Sequence, residues 1–117
     1  GAVWCLFVDD HGPSRALIRE NVERLGVIGE TKIYRRDATR LGPCRGAPYD
    51  LVILDPPYRK GLAAPAIASA REGGWLAPGA LVVAELAVDE PFAAPEGLTP
   101  LHDRPYGDTR LAILRAP

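Results

Sequence analysis

Four consecutive residues, Asp55-Pro56-Pro57-Tyr58, combine groups that could bind and orient an amine. Two successive prolines lack N–H groups and have φ near −65°, so they favour an extended Asp55 and hold the Pro56 carbonyl outside any strand ladder. A carboxylate and a rigid carbonyl would then accept hydrogen bonds from one planar amine, while Tyr58 offers an aromatic face to a base. The tetrapeptide therefore predicts a site for an amino group on a nucleic-acid base.

The alternative interpretation of this tetrapeptide is a plain proline-rich turn. In that case Asp55 caps the next helix and Tyr58 packs on the surface. The preceding residues favour a site, because residues 49–54 form an apolar run typical of a strand buried on both faces of a parallel sheet. Open α/β sheets bind ligands beyond the carboxyl ends of their strands, where Asp55 would lie.

Acidic residues also follow the two earlier predicted strands, at residues 3–8 and 31–35. These acids are Asp9 or Asp10 and then Asp37. In a nucleotide-binding fold such an acid typically accepts hydrogen bonds from both ribose hydroxyls, and Asp37 could accept one from an adenine amine. Each aspartate alone is more typical of a plain loop or helix-cap residue. Acids at corresponding strand ends, however, predict a common crevice for a nucleotide cofactor.

Patterns in the rest of the sequence predict strands that alternate with helices. Helical spacing and alanine content predict helices, and short apolar runs predict further strands. The helices are expected from Ser14 or Pro13 to Gly26 and at residues 62–72, and the strands at 80–85, 98–104 and 109–115. Residues 75–79 predict a turn, and residues 105–108 predict the turn of a hairpin. The order βαβ, βαβ, hairpin predicts an α/β fold with a mainly parallel sheet and helices on its faces.

Composition excludes several classes of protein. The chain has 117 residues, 47% of them hydrophobic and 25% charged, with a net charge of −1, so a histone-like electrostatic binder is excluded. No apolar stretch has the length of a membrane span and no signal peptide opens the chain, which favours a cytoplasmic protein. Cys5 and Cys44 have no metal-ligand spacing and are expected to be reduced.

Cations cluster from the second predicted strand into the loop that follows it, between Lys32 and Arg45. This stretch contains five cations and one anion, Asp37. The cations are Lys32, Arg35, Arg36, Arg40 and Arg45. A rim that contacts phosphate groups is one interpretation, and an ordinary solvated loop is the other.

These residues resemble the RsmD-type 16S rRNA (guanine-N2)-methyltransferases, members of the S-adenosylmethionine-dependent Rossmann-like superfamily, over essentially the whole chain. The segments that carry the resemblance are Leu6-Phe7-Val8-Asp9, Asn21, Arg36-Asp37-Ala38, residues 50–62, Gly74-Trp75-Leu76 and Tyr106-Gly107-Asp108-Thr109. Asp-Pro-Pro-Tyr alone is shared with adenine-N6 methyltransferases of DNA. The Arg-Lys-Gly-Leu continuation and the Gly-Trp-Leu segment favour the rRNA group.

The resemblance implies a Rossmann-like methyltransferase fold with a C-terminal antiparallel hairpin. It implies methyl transfer from S-adenosyl-L-methionine to the exocyclic N2 amine of a guanine in 16S rRNA or a small-subunit assembly particle. The family needs no metal, and a monomer that contacts no membrane is expected. Hydrogen bonds from the amine would localise its lone pair, so positioning and electrostatics would do most of the catalysis.

The resemblance also assigns roles to particular residues. Asp9 would hold the cofactor ribose, with Asp10 as the alternative if the register shifts by one residue. Asp37 with Ala38 would meet the adenine. The catalytic set would be Asp55, Pro56, Pro57 and Tyr58, in which Asp55 and the Pro56 carbonyl orient the target amine and Tyr58 stacks on the flipped guanine.

Members of this family carry a first strand and a D-x-F-x-G-x-G loop ahead of this region, preceded by an RNA-binding extension. The 117 residues contain none of these, and they contain no Met and begin Gly1-Ala2. We therefore expect residues 1–117 to form a single partial methyltransferase domain with its first strand missing and little activity alone. Residues 3–8 and 49–54 would then expose unpaired edges or close on one another.

Three other functions remain open from the sequence. The first is a DNA adenine-N6 methyltransferase with the same motif, and the second is a non-catalytic RNA-binding remnant of a methyltransferase. An NAD-dependent dehydrogenase fits the alternation of elements but has no use for Asp-Pro-Pro-Tyr. His11 and His102 are expected to be surface residues rather than catalytic bases.

Overall fold

The N-terminal part of the chain folds around two parallel strands. In the computed structural model, which describes residues 2–117, the chain forms two compact units that divide after Arg40. In the first unit β1 (Cys5–Val8) pairs in parallel with β2 (Thr31–Tyr34), and Val8 lies opposite Tyr34. Helix α1 (Gly12–Leu25) connects the two strands, so the predicted βαβ order is confirmed.

Helix α1 has the sequence signals of both its ends. Pro13 lies in the first turn, where a missing N–H leaves no intrahelical bond unmade. Gly26 ends the helix with φ of 71°, a left-handed conformation that glycine adopts without a steric penalty, and its N–H donates to the Glu23 carbonyl at 3.1 Å. The predicted end of this helix is therefore confirmed.

The first strand is shorter and less buried than its sequence suggests. It begins at Cys5 rather than at residue 3, and Val3 and Trp4 are 84% and 45% exposed. The strand predicted at residues 3–8 therefore starts two residues late. An apolar run suggests burial, but within this unit β1 has β2 as its neighbour along one edge. The later residues of β1 are half-buried.

The second unit is a four-stranded sheet with one helix. It contains β3 (Tyr49–Leu54), α2 (Ala63–Glu72), β4 (Leu76–Ala87), β5 (Thr99–Tyr106) and β6 (Thr109–Arg115), and the strand order is β3-β4-β6-β5. Strands β3 and β4 are parallel, whereas β6 is antiparallel to both β4 and β5. Gly107, with φ of 63°, turns the β5–β6 hairpin, so the predicted hairpin is confirmed.

The core of the second unit forms where α2 packs on the sheet. Ile67 of α2, Val82 of β4 and Leu114 of β6 are each 1% exposed and belong to one cluster. Burying a side chain of this kind contributes about 1.5–3 kcal/mol, so these three side chains are a main source of the unit's stability. Val52 and Leu54 of β3 pack against the same cluster.

The other face of β3 is exposed. Leu51 and Ile53 are 52% and 72% exposed, so the prediction that residues 49–54 are buried on both faces is wrong. The reason is that, within the second unit, the core covers only the face that carries Val52 and Leu54. In the second unit β3 is an edge strand that pairs with β4, and the sheet of the first unit consists of β1 and β2.

The predicted turn at residues 75–79 is absorbed into β4. Tyr49 pairs with Leu76, but Leu51 pairs with Leu81, so the register shifts between them. Gly79 has φ of 75°, which accommodates the extra residues as an irregularity of the strand rather than a turn before it. Strand β4 therefore begins at Leu76, four residues earlier than predicted.

Across the described residues, no helix combines the length and apolar character needed to cross a lipid bilayer.

Candidate functional site

The Asp-Pro-Pro-Tyr tetrapeptide lies directly beyond the carboxyl end of β3, where the sequence places it. Asp55 and Pro57 are exposed, and Pro56 is half-buried. Among residues 2–117, no group donates a hydrogen bond to the Asp55 carboxylate. This carboxylate is therefore available to accept hydrogen bonds from an external donor such as an amine.

The Tyr58 hydroxyl is held by two residues of neighbouring strands. It donates to Glu85 Oε1 at 2.9 Å and lies 3.2 Å from Thr109 Oγ1. Because a phenol has one proton, a bond to the carboxylate leaves the Thr109 hydroxyl as the donor in the second contact. Tyr58 is 38% exposed, so these bonds fix the direction of an aromatic ring that remains partly open to solvent.

The backbone turns sharply immediately after the tetrapeptide. Arg59 has φ of 62°, the left-handed conformation that is uncommon for residues other than glycine. Its N–H donates to Glu90 Oε1 at 2.7 Å, and its Nε donates to the Asp89 carboxylate at 3.0 Å. The loop that follows β4 therefore contacts the turn through both the backbone and the side chain of Arg59.

Arg110 anchors this loop to the hairpin. Its Nη1 donates to the Glu90 carbonyl at 2.6 Å, and its Nε and Nη2 each donate to an oxygen of Asp103 at 2.7 Å. The hydrogen bond from Arg110 lowers the pKa of Asp103, and the same bond raises the pKa of Arg110. This bidentate pair keeps Arg110 in place at the Glu90 carbonyl.

Asp9 lies at the carboxyl end of β1 and at the start of α1. Its Oδ1 accepts a hydrogen bond from the His11 N–H at 2.8 Å, and its own N–H donates to the Tyr34 carbonyl at 3.1 Å. Arg15 Nη1 donates to the Asp9 carbonyl at 3.2 Å. The ends of β1 and β2 are thereby joined at a half-buried carboxylate, and Asp10 beside it is exposed.

Asp37 follows β2 and organises its own loop. Its Oδ1 accepts hydrogen bonds from the Thr39 hydroxyl at 2.7 Å and the Thr39 N–H at 2.9 Å, and Ala38 opens a short 3₁₀ turn. These bonds from Thr39 lower the pKa of Asp37. The exposed carboxylate therefore stays ionised to a lower pH than an ordinary aspartate side chain does.

All of the residues expected in the site therefore lie just beyond strand ends. Asp9, Asp10, Asp37 and Ala38 belong to the first unit, whereas residues 55–58 belong to the second.

Sequence reasoning missed Glu85, Glu90 and the role of Thr109. An acid near the end of an apolar strand was an available signal for Glu85. No local signal marks Glu90, because its partner is a backbone N–H 31 residues earlier.

Two cations of the predicted rim lie over an aromatic ring. Lys32 Nζ and Arg36 Cζ lie 5.3 Å and 4.8 Å from the centroid of the Tyr34 ring.

In the part of the chain that the structure describes, no three His, Cys, Asp or Glu side chains are grouped as metal ligands. Cys5 and Cys44 are free thiols.

Comparison with known proteins links this geometry to methyltransferases. The family model described as Conserved hypothetical protein 95 matches residues 1–115. The Haemophilus influenzae protein named Ribosomal RNA small subunit methyltransferase D is 41% identical over 59 residues, which are 50% of this chain. That match spans 31% of the Haemophilus protein, less than a third of its length.

Two solved structures are similar over nearly the whole chain. A Haemophilus influenzae protein assigned as a methylase is 25% identical with a TM-score of 0.83, over 97% of this chain and 72% of that one. The Bradyrhizobium japonicum N-methyltransferase NodS, in complex with S-adenosyl-L-homocysteine, is 18% identical with a TM-score of 0.63 over 100% of this chain and 80% of that one. The predicted α/β, Rossmann-like fold is therefore confirmed.

Proposed function

We propose that this chain, which belongs to the RsmD-type family described as Conserved hypothetical protein 95, acts in methyl transfer from S-adenosyl-L-methionine to a guanine of 16S rRNA. The atom methylated would be the exocyclic N2 amine. The observation that carries the proposal is the exposed Asp55 carboxylate, which lacks an internal donor within residues 2–117 and lies three residues before a Tyr58 held by Glu85. The name of the Haemophilus relative supports ribosomal RNA as the substrate.

The chemistry requires a weak nucleophile to be oriented. The lone pair of an exocyclic amine is delocalised into the base, so the free amine attacks poorly. Hydrogen bonds from its N–H groups to the Asp55 carboxylate and the Pro56 carbonyl would localise that lone pair and fix its direction. Tyr58 would hold the base itself by stacking.

The acids of the first unit fit the donors of the cofactor. S-adenosyl-L-methionine supplies an electrophilic methyl group when it is bound, and its ribose hydroxyls and adenine amine are hydrogen-bond donors. Asp9 or Asp10 would accept from the ribose, and Asp37 with Ala38 would meet the adenine. Asp37 suits this role because both bonds from Thr39 go to Oδ1 and orient an exposed carboxylate whose Oδ2 can accept a further hydrogen bond. The complex of NodS with S-adenosyl-L-homocysteine supports this choice of cofactor.

We also propose the setting in which the protein acts. Its substrate would be 16S rRNA or a small-subunit assembly particle in the cytoplasm, and the protein would act as a monomer. A guanine in folded rRNA is reached by extruding the base from its stack, and an exposed carboxylate beside an exposed tyrosine suits an extruded base.

Replacement of Asp55 tests the proposal most directly. In the protein as it is expressed from its own gene, Asp55→Ala should lower kcat by about 10²–10³-fold, as expected for loss of a preorganised electrostatic contact. The dissociation constant for S-adenosyl-L-methionine, measured by calorimetry, should not change. Methyl transfer is followed by radioactive label on small-subunit particles, and N2-methylguanosine is identified after digestion to nucleosides.

Asp50→Ala is the matched control, because Asp50 is an exposed acid near the other end of β3. It should retain full activity. Equal loss of turnover and of cofactor affinity in Asp55→Ala would make Asp55 a cofactor or structural residue. Label found in adenine of naked DNA, and none in rRNA, would replace the proposed substrate with the DNA alternative.

A further inference from the structure

Glu90 is a buried acid in the loop that follows β4. It is only 3% exposed, although its neighbours Asp89 and Pro91 are exposed. A buried carboxylate is costly unless hydrogen bonds compensate its charge. The bond that it accepts from the Arg59 N–H, at 2.7 Å, is therefore a functional candidate rather than an incidental surface contact.

The residue whose N–H donates this bond, Arg59, has a strained backbone conformation. Arg59 has φ of 62°, a left-handed conformation that is unfavourable for any residue with a Cβ atom. Such conformations persist where surrounding contacts determine them, and they occur frequently at active sites. Glu90 provides that contact, because its carboxylate is aimed at the N–H of the strained residue itself.

Glu90 is itself held in place from two sides. Its N–H donates to the Ala87 carbonyl at 3.0 Å, and its own carbonyl accepts from Arg110 Nη1 at 2.6 Å. By contrast, the ion pair between Arg59 and Asp89 joins side chains that are 60% and 64% exposed, so solvent weakens it. The partly buried contact between the Arg59 N–H and Glu90 is thus the stronger restraint on the turn.

We infer that Glu90 is a positioning residue for methyl transfer: its carboxylate holds Arg59 in the left-handed conformation and thereby fixes the adjoining Tyr58 and Asp55. The inference rests on the proposed function and adds a residue to it. Glu90 touches neither the amine nor the cofactor in this scheme. It acts through the backbone of Arg59.

Substitutions at Arg59 test this role without altering the buried acid. Glycine adopts positive φ freely, alanine does so at a cost, and a β-branched valine does so least readily. We expect kcat to fall in the order Arg59→Gly, Arg59→Ala, Arg59→Val, while the KM for rRNA changes equally in all three because each lacks the guanidinium. An unchanged kcat across the three variants would overturn the inference.

Substitutions at Glu90 complete the test. Glu90→Ala removes the acceptor and should lower kcat roughly tenfold or more, because small misplacements of reacting groups cause large losses of rate. Glu90→Gln retains an acceptor oxygen and should keep most of the activity. Adding Arg59→Gly to Glu90→Ala should restore kcat, whereas adding Arg59→Ala should not. A purely structural role for Glu90 predicts no such selective rescue.

One measurement is independent of catalysis. In the NMR spectrum of the wild-type protein, the Arg59 amide proton should lie downfield and exchange slowly, and Glu90→Ala should abolish both properties. If the wild-type protein transfers no methyl group while this amide behaves as expected, the proposed function fails but the contact stands. If methyl transfer proceeds normally in Glu90→Ala, the inference fails and the proposed function stands.

Discussion

Replacing Tyr58 separates the two roles that the structure gives it. Tyr58→Phe keeps the ring and removes the hydroxyl that bonds to Glu85 at 2.9 Å. A hydrogen bond to a charged group contributes about 1.5–3 kcal/mol when buried. Tyr58 is 38% exposed, so solvent reduces this contribution. We expect the hydroxyl to contribute about 1 kcal/mol, so its removal should lower kcat/KM for rRNA roughly fivefold.

Tyr58→Ala removes the ring as well. Stacking of a base on an aromatic side chain contributes about 1–3 kcal/mol, so the additional loss should be roughly 5–150-fold. Thr109→Val removes only the 3.2 Å contact to the Tyr58 hydroxyl and should cost less than Tyr58→Phe. Affinity for S-adenosyl-L-methionine should be the same in all three variants, because none of them alters the first unit.

Steady-state kinetics with small-subunit particles measures these differences. The expected order of kcat/KM is wild type, Thr109→Val, Tyr58→Phe and Tyr58→Ala. Equal activity of Tyr58→Phe and Tyr58→Ala, both below wild type, would refute stacking and assign the whole effect to the hydroxyl. Wild-type activity in both variants would show that neither the ring nor the hydroxyl contributes.

Two further predictions concern a loop of each unit. Thr39→Val removes the hydroxyl that lowers the pKa of Asp37, so this pKa, followed by NMR, should rise toward its ordinary value, whereas Thr39→Ser should leave it low. A carboxylate whose pKa is lowered on folding stabilises the fold at pH values above its unfolded pKa, and this stability is lost as the pH falls through the folded pKa. Thr39→Val should therefore lose less stability on acidification than the wild type. Gly73→Ala would place a Cβ atom against the Gly42 carbonyl oxygen and should destabilise the protein by about 2–4 kcal/mol in urea unfolding. Gly74→Ala has open space around its Cβ atom but a positive φ, and should cost about 1 kcal/mol. An unchanged pKa of Asp37 in Thr39→Val, or equal costs at the two glycines, would contradict these expectations.

Much of the site could be predicted because its information is local. The order Asp-Pro-Pro-Tyr after an apolar run predicts a carboxylate and an aromatic ring beyond a strand, and the structure has both beyond β3. The end of α1 at Gly26 is equally local, because a glycine after a helical pattern provides the left-handed residue that terminates a helix. Signals of this kind depend on neighbouring residues in the chain and survive folding unchanged.

Burial could not be predicted in the same way. Leu51 and Ile53 are as apolar as Val52 and Leu54, yet only the second pair packs against the core of its unit. An apolar run reveals that a strand can be buried on both faces, but the elements that pack against it decide whether it is. The start of β4 was mistaken for the same reason, since the pairing of Leu76 with Tyr49 extends the strand past Pro78 and Gly79.

The sequence by itself determined the chemical groups of the site, their place after strand ends and the family to which the chain belongs. The tertiary structure alone decided how the turn after Tyr58 is held. Nothing in the segment Arg59-Lys60-Gly61 predicts that Arg59 takes the positive φ, and nothing near Glu90 predicts its burial. The physical reason is that the two residues stabilise each other across 31 positions, through a hydrogen bond that exists only when the loop after β4 meets the end of β3.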